Sequence, residues 1–326
     1  MESLIFSINA VGPIVLLAVI GYFLKKIGFI KPDVAKALNK LVFRVFLPSM
    51  LFLNIYKIKS FSDIDFTYVL YAICATFAIF FLSLPIVMMI TKKNGQRGVL
   101  IQATFRSNYA LIGIPLATSL FGDEGAIIAT VLSAFIIPIF NVLAVICLTV
   151  FSDTTKVSVK NILLGIIKNP LIQGIAAGGI MLGIRAIFTA FGIGFRLSDV
   201  TPIYKVLEYL SSVATPIALI VLGAQFEFSA LKELKNQIIF GTALRAVIIP
   251  ALALTVAYFI GIFNGAHFAA FVAMFATPVA VSSVPMAQEM GADSALAGQI
   301  VVWTTLVSAL SLFVISFILK YIGVFA

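Results

Sequence analysis

Charged and metal-binding side chains are scarce in this chain. Only 11% of its 326 residues are charged, and it contains one histidine, His267, and two cysteines, Cys74 and Cys147. These residues give no metal-ligand spacing, because a protein metal site needs several such side chains close together. The apolar segments also hold no nucleophile–base set and no paired acids. We therefore expect neither an enzyme active site nor a bound metal or other cofactor.

Apolar sequence is what the chain has in excess. Hydrophobic residues make up 62% of it and its mean hydropathy is +1.15, whereas soluble domains are about 45–50% apolar. A membrane-spanning helix needs about 20 apolar residues. Ten runs are long enough, near residues 4–24, 37–56, 66–91, 99–121, 125–151, 169–192, 202–224, 237–261, 266–289 and 294–320. The sequence therefore predicts an all-α polytopic membrane protein with ten transmembrane helices. The first is expected to remain uncleaved, because no basic leader precedes it.

The net charge of +9 does not indicate a nucleic-acid partner, because the basic residues do not form one patch. They concentrate in alternate loops between the predicted spans. The bases after the first, third, fifth and seventh spans are Lys25, Lys26, Lys31, Lys36, Lys40, Lys92, Lys93, Arg97, Lys156, Lys160, Lys168, Lys232 and Lys235. Loops rich in Lys and Arg stay in the cytoplasm. We therefore expect both termini outside, in a bacterial inner membrane.

Two of the predicted spans contain the same kind of interruption. Residues 105–115 (FRSNYALIGIP) and 275–285 (FATPVAVSSVP) both place polar, helix-breaking residues inside an apolar run, and they start 170 residues apart. A helix that is broken at membrane depth leaves backbone groups unpaired, which only protein or a water-filled cavity can satisfy. Paired interruptions in the two halves of a transporter indicate its substrate site.

The prolines indicate that the interruption belongs to an internal repeat. Four pairs occur in helix order in the first and last five spans, namely Pro13 with Pro170, Pro48 with Pro216, Pro85 with Pro250 and Pro115 with Pro285. Gly21 and Gly178 each follow the first proline of their half by eight residues. Because five spans is an odd number, the halves must be inverted in the membrane. We therefore predict a 5+5 inverted repeat, with residues 1–151 and 169–326 as the halves and residues 152–168 as a cytoplasmic linker.

The interrupted segments predict an anion-binding site. Each helix would restart near its proline, so that two helix N-termini with partial positive charge point to the middle of the membrane. Arg106 lies seven residues into the fourth span, where a charge is costly and indicates function, and its planar fork suits a carboxylate. The candidate substrate-binding residues are Arg106, Ser107, Asn108, Tyr109, Gly113, Pro115, Thr277, Pro278, Ser282, Ser283 and Pro285 at the breaks, with Ser49 and Gln225 from neighbouring spans.

Each of these assignments has a plainer alternative. Arg106 would instead extend to the cytoplasmic headgroups, as we expect for Arg44 and Arg245, which lie nearer the ends of their spans. The neutral polar residues would instead join helices by hydrogen bonds. Glu289 could carry a coupling proton, although a solvated interface position is the stronger expectation. The small residues of segment 174–183 indicate close helix packing or a dimer face.

These motifs resemble those of the auxin efflux carrier family, which includes bacterial malate and malonate permeases. Segment 108–116 (NYALIGIPL) is similar to the family signature Asn-x4-Gly-x-Pro-Leu, and segments 47–49 (LPS), 222–225 (LGAQ) and 284–291 (VPMAQEMG) are similar to other family motifs. The resemblance implies crossed, broken helices 4 and 9, a scaffold of helices 1, 2, 6 and 7, a moving domain of helices 3–5 and 8–10, and a homodimer. It also implies that Asn108 contacts a substrate carboxylate and that Ser49 lines the cavity.

The residues and the resemblance together predict a secondary transporter for a small organic anion. We expect alternating access by an elevator-like movement of the moving domain, with membrane lipid and a second copy of the chain as partners. An anion-selective channel and a sensor that binds the anion without moving it are the alternatives. Proton coupling and sodium coupling are both open, the latter because bile-acid/sodium symporters share a related crossed arrangement. The linker 152–168 is shorter than the hydrophilic loop of the plant members, so regulation through such a loop is not expected.

Overall fold

The structure is a computed structural model that describes residues 2–57, 66–152, 159–226 and 230–325. Over these ranges the chain is almost entirely helical, and no β-sheet forms. Seven described helical stretches are long and apolar enough to cross a membrane, namely Pro32–Tyr56, Phe66–Ile90, Tyr109–Val150, Pro170–Ala190, Thr201–Gln225, Lys235–Ile260 and Ser294–Tyr321. The predicted helical membrane class is therefore confirmed, and the count of ten spans remains a prediction.

Fifteen α-helices follow one another along the described ranges. They are α1 (Glu2–Lys26), α2 (Pro32–Leu41), α3 (Leu47–Tyr56), α4 (Phe66–Ile90), α5 (Asn94–Phe105), α6 (Ile114–Val150), α7 (Val159–Lys168), α8 (Pro170–Ala190), α9 (Thr201–Gln225), α10 (Ala230–Glu233), α11 (Lys235–Ala243), α12 (Ile249–Ile260), α13 (Gly265–Phe275), α14 (Ser283–Glu289) and α15 (Ser294–Tyr321). Helix is present in each of the ten predicted runs, and several runs are built from two or more pieces.

Short π-helical segments precede three of the prolines. The segments are Val42–Phe46, Tyr109–Gly113 and Leu244–Ile248, which lead into Pro48, Pro115 and Pro250. A proline ring offers no N–H group and clashes with the carbonyl four residues earlier. A π-helical turn holds one extra residue and so gives the ring space. The chain therefore remains helical through these prolines.

Helix α6 bends sharply near its N-terminal end. Phe121 and Gly122 leave helical geometry there, and Gly122 has a φ of 55°. Glycine adopts this left-handed conformation without the steric cost of a Cβ. The bend lies between the runs 99–121 and 125–151, which the sequence assigns to different spans. Helix α13, which has only 11 residues, packs against α6.

Two pairs of helices pack with their backbones almost in contact. At Gly21 in α1, an added Cβ would lie 2.0 Å from the carbonyl oxygen of Ile220 in α9. At Gly178 in α8, it would lie 2.6 Å from the carbonyl oxygen of Phe52 in α3. Ile220 and Phe52 each come four residues after one of the paired prolines. The close packing predicted for segment 174–183 is therefore present within the chain.

Helix α13 lies at the centre of the molecule. Its residues from Phe268 to Phe275 are at most 2% exposed, and they pack against α6 and α12. Large apolar side chains project from the outer helices instead, for example Met89 and Phe259, which are 86% and 81% exposed. Such an apolar outer surface fits a lipid environment. The second interrupted segment follows α13 directly and is therefore held inside the helix bundle.

Candidate functional site

The two interrupted segments form a short antiparallel bridge with each other. The backbone N–H of Asn108 donates to the carbonyl oxygen of Pro278 over 2.8 Å, and that of Ala280 donates to the carbonyl oxygen of Arg106 over 3.4 Å. These bonds pair backbone groups that the ends of α5 and α13 would otherwise leave exposed. Protein therefore supplies the partners that broken helices need at membrane depth.

Arg106 lies inside the protein at this bridge and is 2% exposed. Its guanidinium donates to the side chains of Asn141 at 2.9 Å, Ser282 at 3.0 Å and Gln102 at 3.4 Å, and it lies 2.8 Å from the sulfur of Met286. All four partners are neutral. The ion pairs formed among the described residues do not include Arg106. Its buried charge therefore has no acidic partner in the described part of the chain, and the side chain does not extend to a headgroup region.

Three side-chain donors at the breaks are buried without a hydrogen-bond partner among the described residues. They are the hydroxyl groups of Ser107 and Ser283 and the amide Nδ2 of Asn108, in residues that are 4%, 1% and 5% exposed. Most buried polar groups in proteins have a partner, so each exception needs an explanation. All three residues were predicted from the sequence as substrate contacts. A ligand with several acceptor atoms would satisfy them.

Three other predicted contacts donate to main-chain carbonyl oxygens of the protein. The hydroxyl of Tyr109 donates to the carbonyl oxygen of Ala129 at 3.1 Å. The hydroxyls of Thr277 and Ser49 each donate to the carbonyl oxygen four residues earlier, at 2.7 and 2.8 Å. These bonds leave the hydroxyl oxygens able to accept but not to donate. Neither Thr277 nor Ser49 therefore offers a proton to an anion in this conformation.

The remaining predicted residues differ in their surroundings. Gly113 packs closely on α13, since a Cβ there would lie 2.9 Å from the carbonyl oxygen of Ala273. Pro285 is buried in the first turn of α14. Gln225 borders a small cavity of about 10 Å³ together with Gln299. Gly113 and Pro285 therefore lie at the breaks, whereas Gln225 lies at this separate small cavity.

A cavity of about 630 Å³ lies beside the first break. Segment 110–115 forms one wall, and α1, α3 and α9 form the others. Its lining residues are Pro13, Leu17, Met50, Asn54, Ala110, Leu111, Ile112, Pro115, Ser211, Ser212, Thr215, Pro216 and Leu219. Of the predicted substrate contacts, it contains Pro115. The lining carries neutral polar groups and no charged side chain, so the charge at the breaks is set by Arg106 and the helix ends.

Arg245 does not extend to the membrane surface, and that expectation from the sequence is wrong. The residue is 0% exposed, and its guanidinium donates to carbonyl oxygens near the ends of α5 and α13. Its position near the end of a span suggested an easy route to the headgroups. Helix C-termini offer unpaired carbonyl oxygens, however, and these hold it inside. The expectation is met by Arg44, whose side chain is 61% exposed.

Glu289 is directed toward Arg44 rather than toward the bridge. Their side chains approach to 3.9 Å, and Glu289 is 17% exposed at its side chain. The contact joins α14, which follows the second break, to the π-helical segment before α3. The predicted coupling carboxylate therefore lies between two parts of the fold that the family resemblance assigns to the moving domain and the scaffold.

The sequence missed three partners of Arg106. Gln102 lies four residues before it on the same helix face, a spacing that was visible in the sequence. Asn141 is a polar residue in the middle of the fifth apolar run, which is also a usable signal. Met286 follows Pro285 and carries no such signal, because its role depends on how α14 packs.

The comparisons with known proteins identify the same family. A family model described as membrane transport protein matches residues 6–316. An uncharacterised transporter of Methanocaldococcus jannaschii is 30% identical over 255 residues, which cover 76% of this chain and 78% of that protein. An uncharacterised transporter of Methanothermobacter thermautotrophicus is 25% identical over 312 residues, which cover 94% and 96% of the two chains.

Proposed function

The chain belongs to this membrane transport protein family, which is the auxin efflux carrier family that its motifs resemble, and on that premise we propose that it is a secondary transporter of small organic anions. The family makes the protein an integral membrane transporter rather than an enzyme. The proposal goes further in naming a carboxylate as the cargo, the helix breaks as its site, and alternating access as the mechanism.

The proposed architecture is a 5+5 inverted repeat in which helices 4 and 9 cross at their breaks. The hydrogen-bonded bridge between segments 106–108 and 278–280 supports the crossing. The equivalent close contacts at Gly21 and Gly178 support the repeat, because each joins the first helix of one half to the second helix of the other. Residues 1–151 and 169–326 are then the two halves, although residues 153–158 of the proposed linker lie outside the described ranges.

The proposed site is carried by one observation, the buried charge of Arg106 beside buried donors that have no partner. A carboxylate accepts several hydrogen bonds and bears the opposite charge. It would satisfy the amide of Asn108 and the hydroxyls of Ser107 and Ser283, which no group in the described part of the chain satisfies. The guanidinium of Arg106 is already engaged by neutral side chains. Its role is therefore to supply positive potential from just behind the donors.

The proposed movement carries the breaks past the scaffold helices 1, 2, 6 and 7, in a homodimer of the bacterial inner membrane. The cavity of about 630 Å³ separates segment 110–115 from α1, α3 and α9, so it lies between the proposed moving domain and the proposed scaffold. On the predicted orientation the cavity lining runs from Leu17 and Leu219, just past the middle of their spans, to Asn54 near the outer end of its span, whereas the Arg44–Glu289 contact lies at the cytoplasmic end. This arrangement supports an outward-facing conformation, with the cytoplasmic side closed.

Uptake into proteoliposomes tests the function. The purified protein would be offered labelled acetate, malonate, malate and indole acetate, with and without sodium and at two pH values. Saturable uptake with counterflow is the expected result, and dependence on sodium or on pH would identify the coupling ion. Flux that neither saturates nor counterflows would make the protein a channel. Binding without flux would make it a sensor, and no binding of any carboxylate would refute the anion site.

Asn108→Ala tests the site itself. A hydrogen bond to a charged group contributes about 1.5–3 kcal/mol, so carboxylate affinity should fall roughly tenfold to a hundredfold. Asn39→Ala is the matched control, because Asn39 is also a buried asparagine with an unpaired Nδ2 but lies in α2, outside both breaks. Equal affinities in the two variants would place the carboxylate elsewhere.

A further inference from the structure

Arg245 connects the two broken helices from a third one. It lies in the π-helical segment before α12 and is 0% exposed. Its guanidinium donates to the carbonyl oxygen of Thr104 at 3.1 Å, to that of Met274 at 2.9 Å, and to that of Thr277 at 2.8 and 3.0 Å. Thr104 lies in the last turn of α5, and the other two lie at the end of α13. One side chain thus binds both segments immediately before their bridge.

The acceptors explain why an arginine is held there. The last carbonyl groups of a helix have no partner in the helix and carry about half a negative charge together. The ends of α5 and α13 bring two such groups of carbonyls together in the interior. A guanidinium offers five N–H donors in a rigid fork, so it satisfies several of them and offsets their charge. A lysine ammonium is a single point and cannot span both helix ends in the same way.

We propose that Arg245 is a positioning residue that sets the register of the two interrupted segments and thereby holds Asn108 in place to bind the substrate carboxylate. The carbonyl group of Thr277 is held by Arg245, and that of the next residue, Pro278, accepts the N–H of Asn108. Thr104 likewise lies two residues before Arg106, whose carbonyl group accepts from Ala280. The effect on carboxylate binding rests on the proposed function, whereas the register of the two segments does not depend on it.

The register can be measured without any substrate. Ser107 and Val279 face each other in the bridge, and the two flanking bonds make them a pair that is not itself hydrogen-bonded. The Cα atoms of such pairs are about 4.5 Å apart, which lies within the range of about 4.4–6.8 Å that a disulfide needs. Ser107→Cys with Val279→Cys, in a chain with Cys74→Ala and Cys147→Ala, should therefore form a disulfide readily under mild oxidation.

Arg245→Met should slow this disulfide by about tenfold, because several bonds to a charged donor are lost together. Arg185→Met is the matched control, since Arg185 also donates to a main-chain carbonyl oxygen, that of Tyr56, but joins α8 to α3 away from the breaks. It should leave the rate unchanged. In the chain with native Ser107 and Val279, Arg245→Met should also weaken carboxylate binding while transport at saturation falls less. An unchanged disulfide rate in Arg245→Met would overturn the proposal.

Arg245→Lys keeps the test decisive if Arg245→Met does not fold. It retains the charge with one nitrogen, so an intermediate disulfide rate is expected. A rate equal to that of the parent would show that charge alone suffices and would overturn the role of the guanidinium fork. Slower disulfide formation in a protein that binds no carboxylate would support the positioning role while refuting the proposed function.

Discussion

Replacement of Arg106 by lysine and by glutamine separates the effect of its charge from that of its hydrogen bonds. Arg106→Lys keeps a positive charge, and Arg106→Gln keeps two N–H donors without it. Both variants lose the guanidinium fork that reaches Asn141 and Ser282. Because both disturb the same neighbours, the difference between them reports mainly on the charge.

The expected size follows from where the carboxylate would lie. Neutral side chains already occupy the donors of Arg106, so a bound carboxylate would be about one side chain away, at roughly 7 Å. Two unit charges at that distance interact by about 2.4 kcal/mol at an effective dielectric constant of about 20. This energy corresponds to roughly 50-fold in affinity. Arg106→Gln should therefore bind the carboxylate roughly 50-fold more weakly than Arg106→Lys.

Thermal-shift titration of the purified variants measures this ratio, since a ligand of the folded state raises its Tm by an amount that grows with the logarithm of the ligand concentration divided by Kd. The corresponding uncharged amide serves as the control ligand and should not discriminate between the variants. The ratio should also persist at high salt, because buried charges are screened little. Equal carboxylate affinities in Arg106→Lys and Arg106→Gln, with both proteins folded, would refute an electrostatic role for Arg106.

Three further outcomes follow from the structure. Gly21→Ala should lower the Tm clearly, because its Cβ would lie 2.0 Å from a carbonyl oxygen and overpacking costs about 1–3 kcal/mol. Gly179→Ala is the control and should leave the Tm unchanged, because its Cβ would meet no neighbouring helix within 4 Å. Ser49→Ala should weaken carboxylate binding less than Asn108→Ala, since the Ser49 hydroxyl bonds to its own helix, and the reverse ranking in titrations would place the site elsewhere. Glu289→Gln should change the Tm little, because its contact with Arg44 is long at 3.9 Å and the Arg44 side chain is 61% exposed, and ion pairs open to solvent contribute about 0–1 kcal/mol. It should alter transport rates if the contact closes the cytoplasmic side.

The helix breaks were predictable because their causes are local. A proline inside a helix lacks an N–H group and clashes with the carbonyl group four residues earlier. An apolar run long enough to span the membrane is helical, because lipid offers its backbone groups no other hydrogen-bond partners. The interruptions after Phe105 and Phe275 could therefore be located from the sequence, as could the turn near Gly122. The way in which the two breaks pair required the structure, because it depends on how distant segments pack.

Arg106 and Arg245 differ in how well the sequence predicts their surroundings. Depth along a span is a fair guide for Arg106, which is buried, and a poor one for Arg245, which the sequence predicts at the membrane surface and which is buried as well. The position of a residue along a span does not show whether its side chain faces the protein interior, or which hydrogen-bond acceptors lie there. The carbonyl groups that hold Arg245 come from α5 and α13, which are about 140 and 30 residues away along the chain.

The different partners of these two arginines decide the sign of the potential at the breaks. Arg245 faces the C-terminal ends of α5 and α13, whose partial negative charges together offset about one positive charge. Arg106 faces only neutral side-chain groups among the described residues, so nothing offsets its charge. The helical segment that restarts at Tyr109 adds the partial positive charge of an N-terminus. The sum is positive, and it lies beside buried donors without partners among the described residues, which is why we propose an anion, rather than a cation or a neutral solute, as the cargo.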